Sequence, residues 1–234
     1  MALAEHQKVL DEKEGRYLWD LAHPSGYGNR MGRYRTQVEL DFLFRHLPAA
    51  RSRVLDVGGG SGRLGAVMSA RGHEVTLLDK NPQALALAAG KGLARTVQAD
   101  FRDFAEKDFD AVVCMEVLEY FKDCGPVLAR CGEFLKPGGL LVFCIINSQS
   151  WRFKLQQAWG NHCGANAFSL AQVERALAAS NLQVIERSGF QWCLARTGSD
   201  SRLVTVSAAI ERALGLRGWH TQSPWLLYAG RKLR

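Results

Sequence analysis

Apolar residues along this chain recur in two alternating rhythms. Short continuous runs at 53–58 (RVLDVG), 73–79 (HEVTLLD), 94–100 (ARTVQAD), 109–117 (FDAVVCMEV) and 140–146 (LLVFCII) read as strands buried on both faces. Between them, 63–72, 81–92 and 127–139 read as helices. The first closes on Gly72. The second carries Pro82 in its opening turn, where a missing N–H costs little. The third stops at Pro137-Gly138-Gly139. Ahead of this alternation, residues 1–22 read as a helical lead-in, 23–33 as a loop, and 34–47 as a helix ending at Pro48. After residue 146 the pattern loosens. Residues 147–168 have no clear period, and 169–180 forms a helix capped by Ser169. Residues 181–192 read as a strand. The segment 201–216 puts Leu203, Val206, Ile210, Ala213 and Leu214 on one helical face, and 223–232 is a last strand.

Strands alternating with helices of this length imply right-handed crossovers and a parallel sheet covered on both faces. The expected fold is α/β: a Rossmann-like, doubly wound, mostly parallel seven-stranded sheet with an antiparallel final strand. Residues 1–48 would form a helical lead-in and cover. Residues 49–234 would form the main domain, with cap-like insertions around 147–168 and 196–222.

Composition adds location to charge. The net charge is +7. Residues 1–150 carry nineteen basic and nineteen acidic side chains, whereas 151–234 carry eleven basic and four acidic. The excess therefore sits in the C-terminal third. It suits an anionic acceptor, a phospholipid surface or nucleic acid, and equally a solvated basic face. No apolar run approaches the roughly 18 residues of a membrane span. The charged N-terminus lacks a signal-peptide core, so a cytoplasmic location is expected. The six cysteines lack CxxC spacing and are expected to be reduced, mostly buried thiols, with no metal site.

The chemistry concentrates in Asp56-Val57-Gly58-Gly59-Gly60-Ser61-Gly62, between the first strand and the first crossover helix. Glycines there let backbone approach a ligand, and the following helix offers free N–H groups. Gly60 to Gly65 also matches GxGxxG, which alone would fit a nicotinamide cofactor. Asp56, two residues before Gly58, argues against pyrophosphate and for the ammonium side of a sulfonium amino acid.

With Asp79 closing the second strand, Asp100-Phe101 after the third, Cys114-Met115-Glu116 after the fourth and Leu135-Lys136-Pro137-Gly138-Gly139 before the fifth, the chain resembles the class I S-adenosylmethionine-dependent methyltransferases over roughly residues 50–148. Within them, FDAVVCMEVLEYFKD is similar to the ubiquinone-biosynthesis O-methyltransferase branch, which usually has His where this chain has Tyr120. The resemblance implies S-adenosyl-L-methionine as cofactor. It implies ribose hydroxyls on Asp79, adenine against Asp100 and Phe101, and a cofactor wall at Met115. Gly58, Gly59, Gly60 and Lys80 belong to the same set.

Arg30, Arg33 and Arg35 are candidates for the cofactor carboxylate, with Arg33 preferred. A hydroxyl acceptor needs a general base. His162, in the region where this fold inserts an acceptor cap, is preferred over His220 and His23; Glu116 and Glu119 follow the fourth strand, but two carboxylates alone establish no metal site, and Glu119 reads as a helix-surface acid. The acceptor pocket is expected within 147–225, among Trp151, Trp159, Phe168, Trp192 and Trp219.

The expected reaction is methyl transfer to a small molecule, apolar or anionic, with peripheral membrane contact as a further expectation. Nucleic acid is not an expected partner: no Asn-Pro-Pro-Tyr-like motif follows the fourth strand and no binding module is appended. The alternatives are an NAD(P)-dependent oxidoreductase on the same fold, a non-catalytic cofactor-binding protein, and a methyltransferase acting on RNA or protein.

Overall fold

The structure is a computed structural model and describes residues 27–159, 165–193, 195 and 198–233. Seven strands form one sheet in the order β3-β2-β1-β4-β5-β7-β6. They are β1 (Arg53–Val57), β2 (Glu74–Asp79), β3 (Arg95–Gln98), β4 (Phe109–Cys114), β5 (Leu135–Ile146), β6 (Leu182–Phe190) and β7 (Trp225–Lys232). Strands β1 to β5 pair in parallel, and β7 runs antiparallel between β5 and β6. The chain reverses direction across the sheet between β1 and β4, where a doubly wound fold opens its ligand crevice.

The helices are α1 (Arg30–His46), α2 (Gly65–Ala70), α3 (Pro82–Ala88), α4 (Gly125–Phe134), α5 (Trp151–Ala158), α6 (Leu170–Ala179) and α7 (Leu203–Ala213). The period-2 alternation of the central strands divides the core in two. Phe109, Val112 and Cys114 of β4 join Leu141, Phe143 and Ile145 of β5 in a layer under α4 and α6. The intervening Ala111, Val113, Leu140, Val142 and Cys144 pack with Val38, Phe42 and Leu43 of α1 and Met68 of α2.

Three elements depart from the sequence reading, each for a local reason. Helix α1 begins at Arg30, not residue 34, because the Asn29 side chain accepts the Gly32 N–H and caps it there. Strand β5 begins before the Pro-Gly-Gly turn. Leu135 pairs with Phe109 and Leu140 with Ala111, so the turn is looped out as a bulge within the strand. Helix α5, capped by Ser150, lies within the stretch that reads as aperiodic; it spans eight residues, none fully buried, and its apolar face is limited to Trp151, Leu155 and Ala158.

Residues 1–22, His23 and Cys163 lie outside the described residues. Cys114, Cys124, Cys131 and Cys144 are buried free thiols, and Cys193 is partly exposed. Among the described residues, no helix is long and apolar enough to cross a membrane.

Candidate active site

The carboxyl ends of β1, β2 and β4 meet beneath the glycine turn. The Gly58 N–H bonds the Leu78 carbonyl at 2.8 Å, fastening the start of the turn to β2. Gly58 and Gly60 have φ of +65° and +54°, which side-chain-bearing residues rarely adopt. Gly58 is also sterically committed: a Cβ there would lie 2.5 Å from Cγ2 of Val117, just beyond β4.

Asp79 projects from the end of β2 into this turn. Its Oδ2 accepts the Gly60 N–H and its Oδ1 the Asn81 N–H, both at 2.8 Å. Each oxygen has two lone pairs, so these two bonds do not exhaust what the carboxylate can accept. The Asp79 side is thus suited to a ribose. Asp79→Ala removes charge-assisted bonds worth about 1.5–3 kcal/mol. The expected result is a roughly 10- to 100-fold loss of S-adenosylhomocysteine affinity by calorimetry. An unchanged affinity would place the ribose elsewhere.

Asp56 has a different setting from the one expected. It is 2% exposed, and it accepts the Gly65 N–H at the start of α2. A Cβ on Gly59 or Gly65 would lie 2.7 or 3.1 Å from its Oδ2, so the carboxyl is wedged under the turn. Burial pushes its pKa up to about 7, against the pull of Arg63. Asp56 braces the turn, its carboxyl enclosed by the backbone of Gly59 and Gly65.

Above the turn, four charged side chains share a buried space. Arg63, directly after the glycines, donates to Thr36 Oγ1 at 2.9 Å and Glu39 Oε2 at 2.5 Å, and lies 3.5 Å from Glu116 Oε1. Its guanidinium stacks 3.9 Å from the Tyr27 ring centroid. Arg35 pairs with Glu116 Oε1 at 2.9 Å and lies 4.3 Å over the Trp225 ring. Glu116 has a φ of +56°, an unfavourable conformation for a residue with a Cβ, and this backbone turn delivers its carboxylate to both arginines. The two guanidiniums pull the Glu116 carboxyl below its usual range, against burial.

The network joins α1, the glycine turn, the exit of β4 and the start of β7. Sequence reasoning named Arg35 and Glu116 but missed Arg63 and Glu39. The available signal was an arginine embedded in a glycine-rich turn. Arg63→Met leaves Glu39 and Glu116 undercompensated inside the protein, a loss of about 3–5 kcal/mol. The expected thermal melt falls by roughly 6–20 °C, and an unchanged melting temperature would contradict the network's burial.

The other expected residues separate. The Arg33 side chain is 58% exposed and lies 3.5 Å from Asp200, while Arg35, one half-turn on, is buried. Asp100 is gripped by its neighbour Arg102, whose Nε and backbone N–H reach Oδ1 at 2.8 and 2.9 Å. Phe101 packs edge-on against Phe121, 5.6 Å between centroids, as part of the core. Met115 is buried at the top of β4 beside α1 and α2. Lys80 is exposed, close enough to Asp100 to favour its charged form. His162 lies outside the described residues. His220 is partly buried, and burial and Arg187 lower its pKa.

Glu119, which reads as a surface acid in the sequence, is buried instead. Glu119, in the short 3-10 turn Leu118–Tyr120 after β4, is 8% exposed. Its Oε2 has no hydrogen-bond partner among the described residues. Burial, reinforced by the charge of Glu116, pushes its pKa up to about 8. Among the described residues, no group of three or more His, Cys, Asp or Glu side chains is arranged to hold a metal ion.

A methyltransferase domain family model matches residues 29–187, from the cap of α1 into β6. The chain belongs to the methyltransferase domain family. Its cofactor is S-adenosylmethionine, and the residues fit that group: a positive-φ glycine cradle, an acid with free lone pairs beside it, and a buried arginine whose Nε lacks a hydrogen-bond partner among the described residues.

This methyltransferase is 36% identical over 126 residues to a ubiquinone biosynthesis O-methyltransferase of Xylella fastidiosa, covering 50% of this chain and 51% of the relative. It is 37% identical to the Chromobacterium violaceum protein of that name, covering 50% and 54%. The chain thus spans about half the length of these curated relatives. Solved structures share its fold. A putative S-adenosylmethionine-dependent methyltransferase from Listeria monocytogenes matches with a TM-score of 0.63 at 15% identity, over 86% of this chain and 99% of that one. Magnesium protoporphyrin IX methyltransferase from Synechocystis PCC 6803, with bound S-adenosylmethionine, matches with a TM-score of 0.60 at 12% identity, over 86% and 81%.

Proposed function

We propose that this methyltransferase methylates a hydroxyl oxygen of a small, largely apolar acceptor. The observation that carries the reading is Glu119, a buried carboxyl with an unpartnered oxygen and a raised pKa, placed just past β4. A hydroxyl must lose its proton to attack, whereas an amine can attack as its neutral form. A base poised close to neutrality suits the first case. The O-methyltransferase relatives support the same choice, over half their length.

When bound, S-adenosylmethionine supplies a methyl group already activated on a sulfonium. The chain's own residues bind and orient. Gly58 and Gly60 admit the adenosyl group, and Asp79 takes the ribose hydroxyls. Arg35, rather than Arg33, receives the amino-acid carboxylate: it is buried, always charged and held over the Trp225 ring. Arg63 and Glu116 fix Arg35's surroundings. Glu119 Oε2 takes the acceptor's hydroxyl proton. The +7 charge and the tryptophans of the C-terminal region favour an acceptor with an apolar body and an anionic part.

The test is a label transfer. Incubation with donor carrying an isotopic methyl and a panel of phenols, amines and activated carbons is expected to leave label on oxygen, read by mass spectrometry and NMR. Label found only on nitrogen or carbon would overturn the reading.

A further inference from the structure

Helix α7 buries one face and leaves its most apolar face uncovered. Val204 and Glu211 point inward, at 2% and 1% exposure. Glu211 is fixed there by the Tyr34 hydroxyl of α1 at 2.5 Å and by Arg217 Nε at 3.0 Å. On a different face, Leu203, Val206, Ile210 and Leu214 are 68%, 55%, 49% and 66% exposed. At 100° per residue these four fall within an arc of about 80°. Trp219, a few residues beyond the helix, is 61% exposed. A contiguous stripe of this kind is unusual on a solvated helix and marks an interaction surface.

Charge selects its occupant. The helix's only acid, Glu211, is turned inside, so the exposed charges of the segment are Arg202 and Arg212. At the N-terminal end, the exposed Asp200 is shared by Arg30 and Arg33, at 3.7 and 3.5 Å. Arg30, Arg33 and Arg202 thus edge the stripe at its N-terminal end against one acid, while Arg212 lies on the opposite side of the helix. A second copy of the chain packed on this face about a two-fold axis would offer those arginines no exposed acid of this segment other than Asp200. An anionic surface with an apolar interior satisfies both the stripe and its rim, and tryptophan is favoured at such a boundary.

We propose that α7 seats this methyltransferase on the surface of a bilayer containing anionic lipid, with Leu203, Val206, Ile210 and Leu214 entering between headgroups and Arg30, Arg33 and Arg202 contacting phosphate. The proposal is independent of which atom is methylated. It gives Arg33 a place outside the cofactor site, and Tyr34 ties α7 to the same turn of α1 that presents Arg35.

The test is co-sedimentation of the full chain with vesicles of phosphatidylcholine alone and of phosphatidylcholine with phosphatidylglycerol. The protein is expected to partition onto the mixed vesicles and not the neutral ones. Leu203→Gln with Leu214→Gln should weaken partitioning about tenfold or more, and Arg33→Gln with Arg202→Gln should weaken it at low salt. Both variants alter exposed side chains and should keep wild-type S-adenosylhomocysteine affinity, which reports folding. Absent partitioning, or partitioning unchanged in both variants, overturns the proposal. So does a wild-type dimer in sedimentation velocity that the leucine variant converts to monomer, since the face would then belong to a second copy.

Discussion

Gly58→Val is expected to abolish S-adenosylmethionine binding while leaving the sheet formed. Two penalties coincide at this position. The backbone φ of +65° is costly for any residue with a Cβ and most costly for a β-branched one. The new Cβ would also stand 2.5 Å from Val117 Cγ2, before the valine methyls are added. Val117 follows β4 directly and packs in the core, so it has little room to yield. The turn must therefore shift, and the Gly58 N–H to Leu78 carbonyl bond that anchors it to β2 goes with it. Calorimetric titration with S-adenosylhomocysteine checks the outcome, with circular dichroism to confirm folding. Binding at wild-type affinity would show that the turn is not the cradle.

Glu119→Gln is expected to reduce methyl transfer about a hundredfold or more, the usual scale of a lost general base, with little change in cofactor affinity. The wild-type rate should rise with pH and level off near pH 8, because burial holds the proton on Glu119 up to about that value. The glutamine variant should be flat over the same range. Stability should move the other way. A carboxyl raised in the fold holds a proton that the unfolded chain has released above about pH 4. The wild type is thus expected to lose stability as pH climbs from there toward 8, and the variant to lose less. A pH–rate profile that keeps its wild-type shape in the variant would assign the base to another group.

The central fold was legible because its determinants are local. Each parallel strand is an apolar run bounded by turn residues, and β1 ends in glycines whose conformation few other residues adopt. What the sequence hid depends on approach between distant elements. Glu39 lies mid-helix at a position that reads as surface, yet it is 0% exposed because Arg63 meets it from the glycine turn. Arg33 and Arg35 look equivalent in the sequence; the rotation of α1 sends one to Asp200 and the other onto Trp225. Asp56 kept its place in the motif but acquired another task, since its carboxyl is enclosed by Gly59 and Gly65 rather than open to a ligand. Helix α5 is short, and none of its residues is fully buried, so its apolar spacing is a weak signal.

Diffraction from crystals grown with S-adenosylhomocysteine addresses the assembly of this site most directly. The expected map places the adenosyl group over Gly58 and Gly60, the ribose hydroxyls on Asp79, the carboxylate on Arg35 and the sulfur facing Glu119. A carboxylate bound at Arg33, or a ribose away from Asp79, would contradict the account.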